Sequence, residues 1–231
     1  MNTLTITVPA PLVRAAMTAQ AGRHEKRHYL QGIHLSPHGH IAGTDGTILF
    51  RGLDHGNLDQ YAQLPPDGAI IAIEKRPPAG AETVEIAGIP LPDPDVSDVD
   101  RHAARFTATA HTANGNATVC GARLVSGKYP DVERIIPKLP RDRSATGLAV
   151  APAVLSRAMA CYSQGKKMTP VAMFPGGATD TLLIVPDDAS ATEWYRDSLV
   201  VVMPCRPAHP GIVDTPKLPE TEKEPEHETA N

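Results

Sequence analysis

Polar and apolar positions alternate from the start of the chain. Residues 4–8 read Leu-Thr-Ile-Thr-Val, the period of two that half-buries a strand. Pro11 suits a first helical turn. Leu12, Val13, Ala16, Met17 and Ala19 then recur at helical spacing, with Arg14 and Thr18 off that stripe, and the helix is expected to fade at Gly22. Residues 29–35 and 40–42 read as strands around the turn Pro37-His38-Gly39. Thr44-Asp45-Gly46 is a further turn signal before the apolar strand 48–51. The first fifty residues therefore spell strand, helix, strand, strand, strand.

That order returns near the C-terminus. A short strand is expected at 147–150. A helix opened by Pro152 follows, with Val154, Leu155, Ala158, Met159 and Tyr162 on one face and Arg157 on the other. Strands are expected at 171–174, 181–185 and 198–203, the first two joined by Pro175-Gly176-Gly177. The repeat is one of element order, not of residue identity. Between the two copies, strands are expected at 69–73, 83–86, 106–110 and 117–120, with Asn114-Gly115 as the hairpin turn between the last two. No convincing helix is visible there, because Glu74-Lys75-Arg76-Pro77-Pro78-Ala79-Gly80 carries two prolines. The pattern gives three β-rich modules, with helices in the first and third.

Composition refines this picture. The chain has 231 residues and only 4% aromatics, which argues against a single-strand binder built on stacked rings. The net charge of −4 is unevenly spread. The last sixteen residues, 216–231, hold five Glu against two Lys and read as a disordered tail. Asp93, Asp95, Asp98 and Asp100 lie in a Pro-rich stretch, 89–100, that reads as a solvated loop. Setting both aside leaves 20 basic against 17 acidic residues, so the acidity says little about partners. No apolar run approaches the roughly 20 residues of a membrane span. The N-terminus shows no basic stretch before an apolar core, so no secretory signal is expected. Cys120, Cys161 and Cys205 are odd in number and far apart, which fits buried thiols in a reducing cytoplasm better than a disulfide framework.

Three stretches resemble a known family. Arg27-His28-Tyr29-Leu30-Gln31-Gly32-Ile33, followed by Gly43-Thr44-Asp45-Gly46-Thr47-Ile48-Leu49, resembles the RYYLNG…ATDGHRL signature of bacterial sliding clamps, the beta subunits of DNA polymerase III. Gly127-Lys128-Tyr129-Pro130-Asp131-Val132-Glu133-Arg134-Ile135-Ile136-Pro137 resembles their G-x-[YF]-P-D-Y-x-R-V-[IL]-P segment, and Val200-Val201-Val202-Met203-Pro204-Cys205-Arg206 their VVMPMR. The three come in the family's order and cover roughly residues 3–207. The resemblance identifies the chain as a truncated or divergent bacterial or phage clamp. It implies an α+β DNA-clamp fold, with repeated β-α-β-β-β modules and helices on one face of antiparallel sheets. The expected division is a clamp domain over 1–138, a linker over 139–145, half a clamp domain over 146–207 and an acidic tail over 208–231.

The resemblance also implies a function without catalysis or cofactor: a replication accessory protein that tethers DNA polymerase and other clamp-binding proteins through an apolar peptide groove. By motif, that groove uses Thr44, Gly46, Thr47, Ile48, Leu49, Pro137, Val202, Met203, Pro204, Cys205 and Arg206. Non-specific contact with duplex phosphates would come from Arg14, Arg157, Lys166 and Lys167 on or after the two helices. The loop residues Arg23, Lys26, Arg27, His28 and Tyr29 would add to it. A clamp loader and a homo-oligomeric ring follow from the same likeness, and the expected setting is the cytoplasm of a bacterial or phage-infected cell. Departures stand out. His28 replaces one family tyrosine, Thr47-Ile48 replaces His-Arg, and Cys205 replaces the second Met. Three modules also leave ring closure in doubt, so the alternative is a monomeric clamp mimic that binds clamp partners without encircling DNA.

Other chemistry is weaker. His34, His38 and His40 approach metal-ligand spacing, but no carboxylate or Cys cluster accompanies them, and no metal site is expected. Asp45 with His28 or His34 is the nearest thing to a hydrolytic pair, and a turn role suits Asp45 better. Walker and G-x-S-x-G motifs are lacking.

Overall fold

The computed structural model describes residues 2–92, 95, 97–136, 150–164, 167, 168, 170–174, 181–187 and 193–203. Residues 147–149 of the strand expected at 147–150, the linker 139–145 and the tail 208–231 lie outside them. In chain order the elements are β1 (Thr3–Pro9), α1 (Ala10–Ala19), β2 (Ile33–Leu35), β3 (His40–Thr44), β4 (Ile48–Leu53), α2 (Leu58–Tyr61), β5 (Ala69–Ile73), β6 (Ala81–Pro90), α3 (Asp98–Ala103), β7 (Arg105–Thr112), β8 (Ala117–Leu124), α4 (Pro152–Ala160), β9 (Ser163–Gln164), β10 (Lys167–Met168), β11 (Val171–Phe174), β12 (Leu182–Pro186) and β13 (Leu199–Val202). Short 3-10 turns lie at His28–Leu30, Val132–Arg134 and Glu193–Tyr195.

Eleven of the described strands form one antiparallel sheet in the order β1-β6-β7-β8-β5-β2-β3-β4-β13-β12-β11. β9 and β10 make a separate hairpin. The first two modules exchange their leading strands. β1 pairs with β6, the first strand of the other module's meander, and β5 pairs with β2 in the same way. β5 is closed on its other side by β8. The matching side of β4 is taken by β13, in the register Ile48↔Val202, Leu49↔Val201, Phe50↔Val200 and Arg51↔Leu199. The third module thus continues the first as one sheet.

Alternation along the strands sorts side chains onto two faces. Ile6, Val8, Ile33, Leu35, Ile48, Phe50, Ile184, Val200 and Val202 belong to the main core, together with α1 and α4. Leu49, Ile70, Leu183 and Val201 belong to a second cluster on the opposite face, with Leu30, Val125 and Tyr129. Gly43 lets α1 lie flat on β3: a Cβ there would stand 2.0 Å from the Ala16 carbonyl oxygen.

α1 departs from expectation. Nearly every residue from Ala10 to Ala19 is buried, including Arg14, which is 6% exposed. The reason is the segment between β5 and β6. It forms no helix, as its prolines dictate, and it folds back over α1. Arg14 Nη1 donates to the carbonyls of Pro78 (2.8 Å) and Ala81 (3.1 Å) and pins it there. Burial lowers the Arg14 pKa. Two other expectations are corrected. Residues 29–35 do not form one strand, because the turn at His28–Leu30 closes first through the Leu30 amide donating to the Arg27 carbonyl at 2.9 Å. The acidic stretch expected as loop ends in α3: Ser97 caps it, its Oγ accepting from the Asp100 amide (3.1 Å) and donating to the Asp100 carboxylate (2.6 Å).

Candidate functional site

The Thr44-Asp45-Gly46 turn between β3 and β4 is held by its own side chains. Thr44 is buried; its Oγ1 donates to the Ile48 carbonyl (2.6 Å) and accepts from the Gly46 amide (3.0 Å). Gly46 sits at φ +90°, a conformation that glycine adopts without steric cost. Asp45 Oδ1 accepts from the Thr47 amide (2.8 Å), the Thr47 hydroxyl (2.7 Å) and the Ile48 amide (3.0 Å). Its Oδ2 accepts from Arg157 Nη1 at 2.6 Å. Partial burial works against the charged carboxylate, but these hydrogen bonds prevail and hold its pKa below the usual value.

The turn then docks the C-terminal strand. The Met203 amide donates to the Thr47 carbonyl at 2.8 Å, continuing the β4–β13 ladder. The sequence-derived groove residues Thr44, Gly46, Thr47, Ile48, Leu49, Val202 and Met203 are therefore brought together. They do not share one face. Ile48 and Val202 point into the main core, whereas Leu49 (2% exposed) lies on the opposite face beside Val201 (1% exposed). Motif matching does not carry the strand pleat, so it sets Val202 beside Leu49, whereas Leu49's cross-strand partner on its own face is Val201. Around Leu49, Val201 and Leu183, the half-buried residues Phe174, Val185, Leu199, Val132, Ile135 and Ile136 complete an apolar strip. Arg51, facing the same way, pairs with Glu133 and fastens the 132–134 turn beside that strip. The period-two alternation of β12 and β13 is the signal that could have found these residues. Pro137, Pro204, Cys205 and Arg206 lie outside the described residues.

The expected DNA-contact residues divide. Arg14 is corrected: its guanidinium is buried under the 74–81 segment and does not face solvent from α1. Arg157 is half-engaged in the fold. Besides Asp45, it donates through Nη2 to the carbonyls of Thr18 (3.1 Å) and Ala19 (3.4 Å), capping the C-terminal end of α1, where a cation is favoured. Lys167 lies in β10, and Lys166 is outside the described residues. Arg23, Lys26, Arg27 and His28 are exposed on the loop after α1, with Tyr29 half-buried. Arg27 donates to Glu25 (2.9 Å) and to the Asp45 carbonyl (3.2 Å), which joins this loop to the turn. His34 stacks on Tyr129 with centroids 4.6 Å apart, and its Nε2 lies 2.9 Å from the Asp67 carbonyl. Burial lowers the His34 pKa.

No family model and no curated protein matches the chain. Solved structures do. The Caulobacter crescentus beta sliding clamp superposes with a TM-score of 0.53 at 16% identity, over 87% of this chain and 65% of that one. The DNA polymerase III subunit beta of Pseudomonas aeruginosa gives 0.52 at 18%, over 89% and 66%. The Helicobacter pylori beta clamp in complex with carprofen gives 0.52 at 13%, over 89% and 68%. The fold is that of the bacterial sliding clamps, an α+β architecture of antiparallel sheet with few helices. The chain spans about two thirds of the length of the clamps it matches.

Proposed function

We propose that this chain is a clamp-like accessory protein of DNA replication that binds short apolar peptides. Those peptides would be carried by DNA polymerase and other clamp partners in a bacterial or phage-infected cytoplasm. The observation that supports it is the apolar strip at the β4–β13 junction, whose floor is the cross-strand pair Leu49–Val201. A buried floor with half-buried rims suits a linear peptide, which gains affinity from a few anchors in a formed groove. The role is one of recruitment without catalysis.

The test is anisotropy with a fluorescent clamp-binding peptide. Micromolar or tighter binding is expected, weakened at least tenfold by Leu199→Asp with an unchanged circular dichroism spectrum. Unchanged affinity in that variant overturns the site.

A second reading, a ring around duplex DNA, needs basic groups on the helix face. The burial of Arg14 and the engagement of Arg157 favour partner binding without encirclement. Light scattering separates the two: a trimer or larger closed species supports the ring, a stable monomer the non-encircling form.

A further inference from the structure

A cleft of about 680 Å³ opens where the loop after α1 meets the ends of β5, β7 and β8. Four cations line it: Arg23 from the loop, Lys75 after β5, Arg105 at the start of β7 and Arg123 near the end of β8. Arg105 and Arg123 are register partners, and Arg123 is in turn opposite Ala72 on β5. Residues directly opposite in antiparallel strands share a face, so the two arginine side chains leave the sheet side by side with a small alanine next to them. Ala72 packs with the second cluster, which puts the cleft on the sheet face away from α1 and α4. Like charges in that position are destabilising unless something neutralises them. Among the described residues, no carboxylate forms an ion pair with Arg23, Lys75, Arg105 or Arg123. Among the described residues the one acid lining the cleft is Glu74, whose carboxylate lies over Gly121, where a Cβ would come within 2.7 Å of it. Four cations against one anion leave the recess strongly positive.

We infer that this cleft binds the phosphate backbone of single-stranded nucleic acid. Guanidinium pairs take phosphate oxygens bidentately. The cleft volume falls within the range of about 300–1,000 Å³ typical of ligand sites. A short stretch of one strand enters such a recess, whereas a duplex presents its phosphates on a convex surface that the recess cannot follow. Among the described residues no aromatic side chain lines the cleft, so recognition runs through phosphates, independent of sequence and sensitive to salt. The inference stands on the cleft alone and is independent of the peptide surface proposed above.

The test is anisotropy of the full chain with labelled dT20, dA20 and a 20-base-pair duplex, across a salt series. The expected result is binding of dT20 and dA20 within about threefold of each other and weaker binding of the duplex. The double variant Arg105→Gln/Arg123→Gln should bind dT20 at least tenfold more weakly. Its log–log salt slope should be shallower by about 1.4, the value for two lost phosphate contacts on a single strand. Its melting temperature should not fall, because the like-charge pair is relieved. If that variant fails to fold, Arg23→Gln/Lys75→Gln, both exposed, must show the same loss. Unchanged dT20 affinity in the variants, or duplex binding as tight as dT20 binding, overturns the inference. Peptide affinity should be unaffected throughout. A chain that binds dT20 but no peptide refutes only the peptide reading, and the reverse refutes only the cleft.

Discussion

Asp45 is the residue on which the local structure converges. Its carboxylate organises the turn, anchors Arg157 and through it the end of α1, and its carbonyl receives Arg27. Its pKa is lower in the folded chain than its ordinary value of 3.8. A depressed carboxylate stabilises the fold above its unfolded pKa and loses that contribution as pH falls through the folded one. Thermal stability is therefore expected to decline below about pH 4, and Asp45→Asn should flatten that part of the profile while lowering stability at pH 7. An identical acid limb in the variant would show that other carboxylates dominate. Gly43 carries a different constraint, one of space. Gly43→Ala drives a methyl into the Ala16 carbonyl and should cost about 3 kcal/mol, read from urea unfolding, unless α1 lifts off β3.

At the level of elements, legibility followed periodicity. β1 and α1 lie close to where alternation and helical spacing put them, and β5 and β11 where short apolar runs do. α3 was missed since the Pro- and Asp-rich composition around it reads as loop, and only the Ser97-x-x-Asp100 cap marks it. The motif brought together two strands that do pair, β4 and β13, without sorting their faces: Ile48 and Val202 share the main core, Leu49 and Val201 the outer strip. The burial of α1 was out of reach, because the covering segment is distant in sequence and irregular. This distinction decides which variant is informative. Leu49→Asp buries a carboxylate at a position 2% exposed and should cost more than about 3 kcal/mol, abolishing peptide binding by unfolding. Leu199→Asp, at the half-buried rim, should keep the fold and lose the peptide. A folded, peptide-binding Leu49→Asp chain would disprove the packing of β4 against this cluster.

On the scale of the whole molecule, the ends of the long sheet govern assembly. An open edge strand invites pairing with another chain. At β1 that edge is capped at Thr7: its amide donates to Gln60 Oε1 (2.9 Å), and Asn57 Nδ2 donates to its carbonyl (3.1 Å), both from the α2 region. At β11 no described residue does the same. There the Asp187 amide donates to the Pro170 carbonyl (2.9 Å), and with Val171 opposite Pro186 the alternation turns the backbone groups of Val171 and Met173 outward. With β1 capped at Thr7 and no described residue capping Val171 or Met173, pairing of copies through sheet edges favours a two-fold β11–β11 contact over head-to-tail propagation. Sedimentation is expected to show no species above a dimer. Met173→Pro removes only an outward-facing N–H, at a residue 45% exposed. It should abolish any dimer while shifting the melting temperature by less than about 4 °C, the change that about 1 kcal/mol produces in a chain of this size. A trimer that survives this substitution would mean that the chain closes through surfaces other than its sheet edges.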